Sequence, residues 1–138
     1  MFTPKKFKFR KQRKGQNYNK AAAPYSINNL NQGVACIVAL ESGRLTTNQI
    51  HACRQTINKL IKRQGKLILN LVTDTPISKK PNEIRMGKGK GNVDHYVKKV
   101  PLGTRLFEIE CNNKALAEKA LKTIQIKLPL NTRILLEF

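Results

Sequence analysis

The clearest amphipathic segment lies near the middle of the chain, between Ile50 and Ile61. Apolar residues return there every three or four positions, while charged and amide side chains occupy the opposite side, which is typical of a helix with one buried face. Thr46 and Gln49 precede this stripe with the spacing of a capping box, in which each side chain bonds a free backbone amide. The pattern predicts a helix that begins after Thr46 and stops at Gly65.

A second helix is predicted over residues 114–127. Its apolar positions share one side of the helix: Leu116, Ala120, Leu121 and Ile124. Asn112 or Asn113 can cap its start, because an Asn side chain accepts hydrogen bonds from the free amides of a first turn. Pro129 has no amide hydrogen and ends the helix. Both predicted helices therefore need an apolar surface against which to pack.

Five segments are predicted to be strands, because they are short, rich in aliphatic residues and bounded by turn residues. They are residues 34–40, 66–72, 95–100, 104–110 and 132–137. Pro101-Leu102-Gly103 separates the third from the fourth with the spacing of a β-hairpin. The element order predicts an α+β fold, a mainly antiparallel sheet with two helices on one face.

Charge is distributed unevenly along the 138 residues. Lys and Arg number 27 against 8 Asp and Glu, the formal net charge is +19, and the first acid is Glu41. Residues 1–30 hold eight of the cations and too few apolar side chains to fold alone, which predicts a basic N-terminal extension that becomes ordered on a polyanion. Residues 31–138 are predicted to form a single α+β domain. Nucleic acid is the favoured partner, and an anionic membrane surface is the second.

Two alternatives concern the extension itself. A cleaved mitochondrial presequence is also basic, but here Lys dominates, Ser is nearly missing and no amphipathic helix can be drawn. Phe7 and Phe9 alternate with Lys8 and Arg10, so these rings can either stack on bases or pin the extension to the core.

Other classes of protein find little support. The longest apolar run, residues 34–40, is far shorter than the roughly 20 residues of a membrane-spanning helix. Three widely spaced cysteines give no disulfide framework and favour a reducing compartment, with Cys53 in the apolar stripe of the first helix. No spacing suggests a metal, a cofactor or a catalytic set. Asp94 and His95 are neighbours on a predicted strand and should point to opposite faces.

The most distinctive motif is the alternation of glycine and lysine after Arg85, in the sequence Arg-Met-Gly-Lys-Gly-Lys-Gly-Asn. It falls within residues 77–94, which show no periodicity and are predicted to be a functional loop. Glycine at every second place lets the backbone approach phosphates, and the interleaved lysines bring charge without bulk. A nucleotide-binding P-loop would continue to Ser or Thr and open a helix, which this segment does not. A solvated flexible linker is the other alternative.

These residues together resemble a known family. The motif from Arg85 to Asn92, the segment Gly43-Arg44-Leu45-Thr46 and the cluster Lys62-Arg63-Gln64-Gly65-Lys66 are similar to the L-sixteen family of large-subunit ribosomal proteins. Pro4-Lys5 and Lys8-Phe9-Arg10-Lys11 are similar to its start, and Lys127-Leu128-Pro129 to its end. The resemblance extends over nearly the whole chain. From composition alone, the cluster at residues 62–66 is equally well explained by compensation of the helix dipole.

The resemblance implies a structural, non-enzymatic protein seated on large-subunit rRNA near the peptidyl-transferase centre. Its partners would be large-subunit rRNA, aminoacyl-site tRNA and neighbouring large-subunit ribosomal proteins. The candidate rRNA-binding cations are Lys5, Lys6, Lys8, Arg10, Lys11, Arg13, Lys14, Arg44, Arg54, Lys62, Arg63 and Lys66. The candidate tRNA loop comprises Arg85, Met86, Gly87, Lys88, Gly89, Lys90 and Gly91. Tyr96 stands where the family often carries Trp.

The compartment follows from composition and from the start of the chain. Lys, Asn and Ile are abundant, as in a strongly AT-biased genome, and little sequence precedes Pro4. These features favour an organelle-encoded protein of a mitochondrial ribosome, in the mitochondrial matrix, with the bacterial cytoplasm or a plastid as alternatives. For function, the alternatives are a free basic RNA chaperone or nucleic-acid-condensing protein and, more remotely, a nucleotide-dependent transferase.

Overall fold

A computed structural model describes residues 7–13, 15 and 34–137. In chain order the elements are β1 (Val34–Ala39), β2 (Gly43–Thr46), α1 (Thr47–Ile61), β3 (Gly65–Leu69), β4 (Thr75–Lys79), β5 (Asn92–Val100), β6 (Arg105–Cys111), α2 (Lys114–Gln125) and β7 (Thr132–Glu137). This order and the antiparallel pairing of every strand confirm the predicted α+β class.

The strands form two sheets where the sequence predicted one. A four-stranded sheet has the order β3-β6-β1-β7, and a three-stranded sheet has the order β2-β5-β4. Both helices contact the four-stranded sheet and each other, and α1 also contacts β2 and β5. The core therefore lies between the helices and the larger sheet, and α1 bridges the two sheets.

Both helices have the predicted buried faces. In α1, the residues Ile50, Cys53, Ile57 and Ile61 are buried, and in α2 the buried residues are Ala117, Ala120, Leu121 and Ile124. Leu116, predicted to be in the core, is only half-buried, and Ala117 takes its place. The capping box of α1 is present, with the Thr46 backbone amide donating to Gln49 Oε1 at 2.9 Å. Asn113 caps α2.

The end of α1 differs from the prediction. Lys62 and Arg63, with φ of 47° and 69°, form the left-handed turn that was assigned to Gly65. Gly65 instead begins β3, where a Cβ atom would lie 2.6 Å from the carbonyl oxygen of Glu110 and 2.7 Å from Cys111 Cβ. The glycine is thus required for close strand packing and not for the helix stop.

The predicted hairpin is wrong. β5 belongs to the smaller sheet and β6 to the larger one, so the strands on either side of Pro101-Leu102-Gly103 do not pair. The turn is held by the end of β1: the Gly103 amide donates to Ala39 O at 2.8 Å, and the Ala39 amide donates to Thr104 O at 3.0 Å. The same turn residues are compatible with a hairpin or with a connection between two sheets. Which of the two forms depends on the pairing of each strand with strands distant in sequence.

Two strands were not predicted, and one predicted strand is shorter. The unpredicted strands are β2 and β4, which begins at Thr75 with Pro76 in it, and β3 stops at Leu69. β4 is an edge strand, where a missing amide hydrogen is tolerated. Because β4 extends to Lys79 and β5 begins at Asn92, the irregular segment is residues 80–91, shorter than the predicted loop 77–94.

Asp94 and His95 do not point apart as predicted. Ile77 pairs with His95 and Ser78 pairs with Val93, so Asp94 is the extra residue of a β-bulge. The bulge brings both side chains to one side of the strand, with His95 Nδ1 2.9 Å from Asp94 Oδ2. Both groups are about half exposed, so the contact lies at the surface of the smaller sheet.

Candidate nucleic-acid interface

The described part of the N-terminal extension, residues 7–13 and 15, lies against the smaller sheet. The Phe7 ring stacks on the Tyr96 ring of β5, with centroids 5.8 Å apart and an interplanar angle of 13°. The sequence left open whether this ring stacks on bases or pins the extension to the core, and in the structure Phe7 pins the extension. Tyr96 was noted in the sequence only as a replacement for Trp, and its stacking role was missed.

Four predicted cations of the extension are described, and all four are exposed: Lys8, Arg10, Lys11 and Arg13. Lys8 Nζ lies 5.7 Å from the centroid of the Phe9 ring, and Phe9 itself is 69% exposed. An exposed aromatic ring beside an ammonium group is a surface on which a base can stack and a phosphate can pair. Lys5, Lys6 and Lys14 lie outside the described residues.

The loop of residues 80–91 projects from β4 and β5 and has a tight base. At Gly91 a Cβ atom would lie 2.6 Å from Lys79 O and 2.9 Å from Lys79 C, so only glycine fits this approach of two backbones. The Lys80 ammonium donates to Gly87 O and so ties the base of the loop to its tip. Lys80 was not among the predicted site residues, although its place at the loop base could have suggested a structural role.

The tip of the loop is a left-handed turn, and a Cβ atom added at Gly87 or Gly89 would have no neighbour within 4 Å. Gly87, Lys88 and Gly89 have φ of 98°, 52° and 86°, a conformation that glycine adopts freely and other residues rarely do. Met86 is fully exposed. Among the described residues, the side chains of Arg85 and Lys88 have no hydrogen-bond or ion-pair partner. The tip therefore presents two cations and open backbone to the surroundings.

The extension, β2, β4 and the base of the loop meet at a cavity of about 270 Å³. Three predicted site cations line it: Arg13 of the extension, Arg44 of β2 and Lys90 of the loop. The sequence placed these residues 31 or more positions apart, and the tertiary structure brings them to one place. Three cations around one cavity make a site that favours an anion such as a phosphate group.

The remaining predicted cations lie elsewhere. Lys62 and Arg63 follow the C-terminal end of α1, a helix of 15 residues and therefore about 22 Å long. Lys66 on β3 is exposed, with its ammonium 4.0 Å from Glu110, and Arg54 is exposed on α1. The structure thus divides the predicted surface into an extension–loop region and a second basic region at the far end of α1.

The three cysteines are buried and free, as the place of Cys53 in the apolar stripe predicted. Burial raises the pKa of the Cys36 and Cys53 thiols to about 11 in each case. Thiolates are the reactive form of cysteine, so both side chains act as small apolar groups at neutral pH. No helix in the described part of the chain is both long and apolar enough to traverse a membrane.

Comparison with known proteins gives matches over almost the full chain. The family described as "Ribosomal protein L16p/L10e" matches residues 4–135. The chain is 43% identical over 134 residues to the "Large ribosomal subunit protein uL16" of Paracoccus denitrificans, covering 97% of this chain and 96% of that protein. The protein of the same name from Acinetobacter baylyi is 44% identical over 134 residues, with the same coverage. That of Wigglesworthia glossinidia brevipalpis is 42% identical over 133 residues, covering 96% and 94%.

The class of protein that these matches define is a structural, non-enzymatic ribosomal protein. Within that class, the chain belongs to the ribosomal protein L16p/L10e family. The resemblance carried by Arg85 to Asn92 and by the basic clusters is thereby confirmed.

Proposed function

We propose that this protein is a structural constituent of the large ribosomal subunit, where it binds large-subunit rRNA and contacts neighbouring ribosomal proteins. The observation that carries the proposal is the match of almost the whole chain, at 42–44% identity, to proteins named for that subunit. The net charge of +19 supports it, because a charge of this size needs a polyanionic partner.

Co-sedimentation tests this assignment directly. Cell or organelle lysates are fractionated on a sucrose gradient, and the protein is quantified against a known large-subunit protein. A constituent of the subunit is expected in the large-particle fractions at about one copy per particle. Recovery mainly from free fractions would contradict the proposal and favour a free basic RNA chaperone.

Within the subunit, the extension–loop region is proposed to bind rRNA through Lys8, Arg10, Arg13 and Arg44. The first three are exposed, and Arg13 and Arg44 share the cavity beside Lys90. Lys62, Arg63 and Lys66 provide a second area for rRNA contact beyond the C-terminal end of α1, and Arg54 adds an exposed cation at the middle of that helix. Two separated contact areas would fix the orientation of the domain on the rRNA, since a single patch leaves it free to rotate.

The tip of the loop is proposed to help position aminoacyl-site tRNA near the peptidyl-transferase centre. Support comes from its geometry: Arg85 and Lys88 are exposed cations without a partner among the described residues, on a backbone held open by Gly87 and Gly89. Such groups are free to meet a phosphate, and a charge-assisted hydrogen bond is worth about 1.5–3 kcal/mol. The core would lose nothing if they were removed.

The double change Arg85→Ala, Lys88→Ala tests the role of the loop. Particles assembled with this variant are expected to bind aminoacyl-site tRNA about ten- to a hundred-fold more weakly, while the isolated protein unfolds at an unchanged temperature. Lys119→Ala, which removes an exposed cation from α2, is the control and should change neither measurement. Normal tRNA binding by the loop variant would overturn the assignment of the loop.

For the compartment, we propose a mitochondrial ribosome on the basis of the abundance of Lys, Asn and Ile. The bacterial relatives fit the bacterial cytoplasm equally well. Sedimentation of the particle from purified mitochondria supports the proposal, and its absence there contradicts it.

A further inference from the structure

The two lysines of the glycine-rich motif have different surroundings, although the sequence makes them look equivalent. Lys88 stands at the tip with no partner among the described residues. Lys90, two positions on, directs its ammonium to the backbone carbonyl of Gln12 in the N-terminal extension. The ammonium of Lys11 in turn donates to the carbonyl oxygen of Lys90 at 2.8 Å. The extension and the loop are thus joined by a reciprocal pair of hydrogen bonds.

This pair is anchored on both sides. On the extension, Phe7 stacks on Tyr96, whose carbonyl oxygen accepts a hydrogen bond from Thr47 Oγ1 at 3.2 Å in the first turn of α1. On the loop, Gly91 packs against the carbonyl of Lys79. The lysine pair therefore spans two segments that are each attached to the smaller sheet, and movement of one segment would move the other.

The pair also brings two cationic side chains into the same contact between extension and loop. Lys11 and Lys90 are satisfied by neutral carbonyl groups, and no carboxylate accompanies them in the hydrogen bonds that they make. Repulsion between like charges weakens such an arrangement in the free protein. The adjoining cavity, with Arg13 and Arg44, would hold a phosphate that offsets this repulsion. Binding of RNA phosphate at the extension should therefore tighten the connection to the loop.

We propose that Lys11 and Lys90 form a latch through which the N-terminal extension sets the orientation of the loop. Lys90 is accordingly a positioning residue, and the tip residues Arg85 and Lys88 make the contacts with tRNA. The functional consequence rests on the function proposed above, whereas the latch itself is a property of the free chain. Its two parts can be tested separately.

The chain supplies a probe for each segment. It contains no Trp, so Phe7→Trp introduces a single fluorescent indole on the extension, and its two methionines are Met1 and Met86, so a labelled methyl group on Met86 reports on the loop. In the free protein, Lys90→Ala should raise acrylamide quenching of the introduced indole about twofold and lower its anisotropy. Lys11→Ala should sharpen the Met86 methyl resonance by increasing the mobility of the loop.

Lys88→Ala is the matched control, since it removes the same charge from the same motif two residues away. It should leave quenching of the introduced indole unchanged. Equal effects of Lys88→Ala and Lys90→Ala on this quenching, or a Met86 resonance that is insensitive to Lys11→Ala, would overturn the latch. Neither measurement involves RNA, so these results stand whether or not the protein is found in the subunit.

A double-mutant cycle in assembled particles tests the consequence. If Lys11 and Lys90 act through one latch, the variant lacking both should weaken tRNA binding no more than either single variant does. Lys88→Ala combined with Lys11→Ala should instead be close to additive. Additive losses for the Lys11 and Lys90 variants would contradict a shared role, even where both residues prove to bind RNA.

Discussion

Gly91 and Gly89 belong to one motif, but substitution by alanine should harm the protein in different ways. At Gly91, a new Cβ atom would lie 2.6 Å from Lys79 O, whereas ordinary contacts begin at 3.4 Å. The carbonyl of β4 would have to retreat by about 0.8 Å. That movement opens the last pair of the β4–β5 ladder, Lys79 with Asn92. We expect a loss of about 1–3 kcal/mol of unfolding free energy, as for other overpacked sites.

At Gly89 there is open space around the new Cβ atom, and the difficulty is conformational. A φ of 86° costs a residue with a side chain about 1–2 kcal/mol, and the tip can avoid this cost by adopting another conformation. Because a Cβ atom at Gly89 would meet no neighbour, we expect Gly89→Ala to leave the unfolding free energy within about 0.5 kcal/mol of the original. The altered tip should nevertheless weaken tRNA binding in particles.

Urea unfolding and amide hydrogen exchange distinguish these outcomes. Gly91→Ala should lower the urea midpoint without changing the slope and should speed exchange at the β4–β5 ends. Gly89→Ala serves as its matched control in the same motif. An unchanged midpoint together with unchanged exchange in β4 and β5 for Gly91→Ala would refute the argument from close backbone approach.

Three further outcomes follow from the structure. Affinity for an rRNA fragment, measured by filter binding, should fall by about three to five decades between about 50 and about 200 mM salt if six to ten phosphates are contacted; a flat dependence would contradict electrostatic binding. In thermal or urea unfolding, Ile124→Ala should cost about 2–5 kcal/mol because this side chain is fully buried, and Leu60→Ala should cost less because it is half-buried. Alkylation of Cys36 and Cys53 at pH 8 should be at least a hundred-fold slower in the folded protein than in urea, because the fold raises the pKa of both thiols. For the same reason the unfolded chain loses these protons first, so the free energy of unfolding should decline as the pH rises from about 9 to about 11.

Local features of the sequence were sufficient to predict both helices and most of the strands. The capping box at Thr46, the cap at Asn113 and the last strand from Thr132 to Glu137 were found where the pattern placed them. Each of these depends on residues a few positions apart, whose spacing alone decides whether they can meet. The net charge likewise indicated a polyanionic partner, and the glycine–lysine motif with the other matching segments indicated the family, without any tertiary information.

Strand pairing required the tertiary structure. Pro101-Leu102-Gly103 permits a hairpin, but β5 finds its partners in β2 and β4, and β6 finds its own in β1 and β3. The choice depends on apolar surface buried by residues far apart in sequence, which no local pattern encodes. The β-bulge at Asp94 is a further case: alternation along a strand assumes a regular ladder, and one extra residue put on the same side two side chains that were predicted to point apart.

The candidate site shows the same division. Its residue types could be predicted from the chain, because a polyanion requires cations and a close backbone approach requires glycine. The sequence could not predict which of the two lysines faces outward, because Lys88 and Lys90 have the same neighbours in sequence. Only the folded extension, with the backbone carbonyl of Gln12, distinguishes them. That carbonyl is 78 residues away along the chain, and Lys90 meets it only because two segments pack on one small sheet.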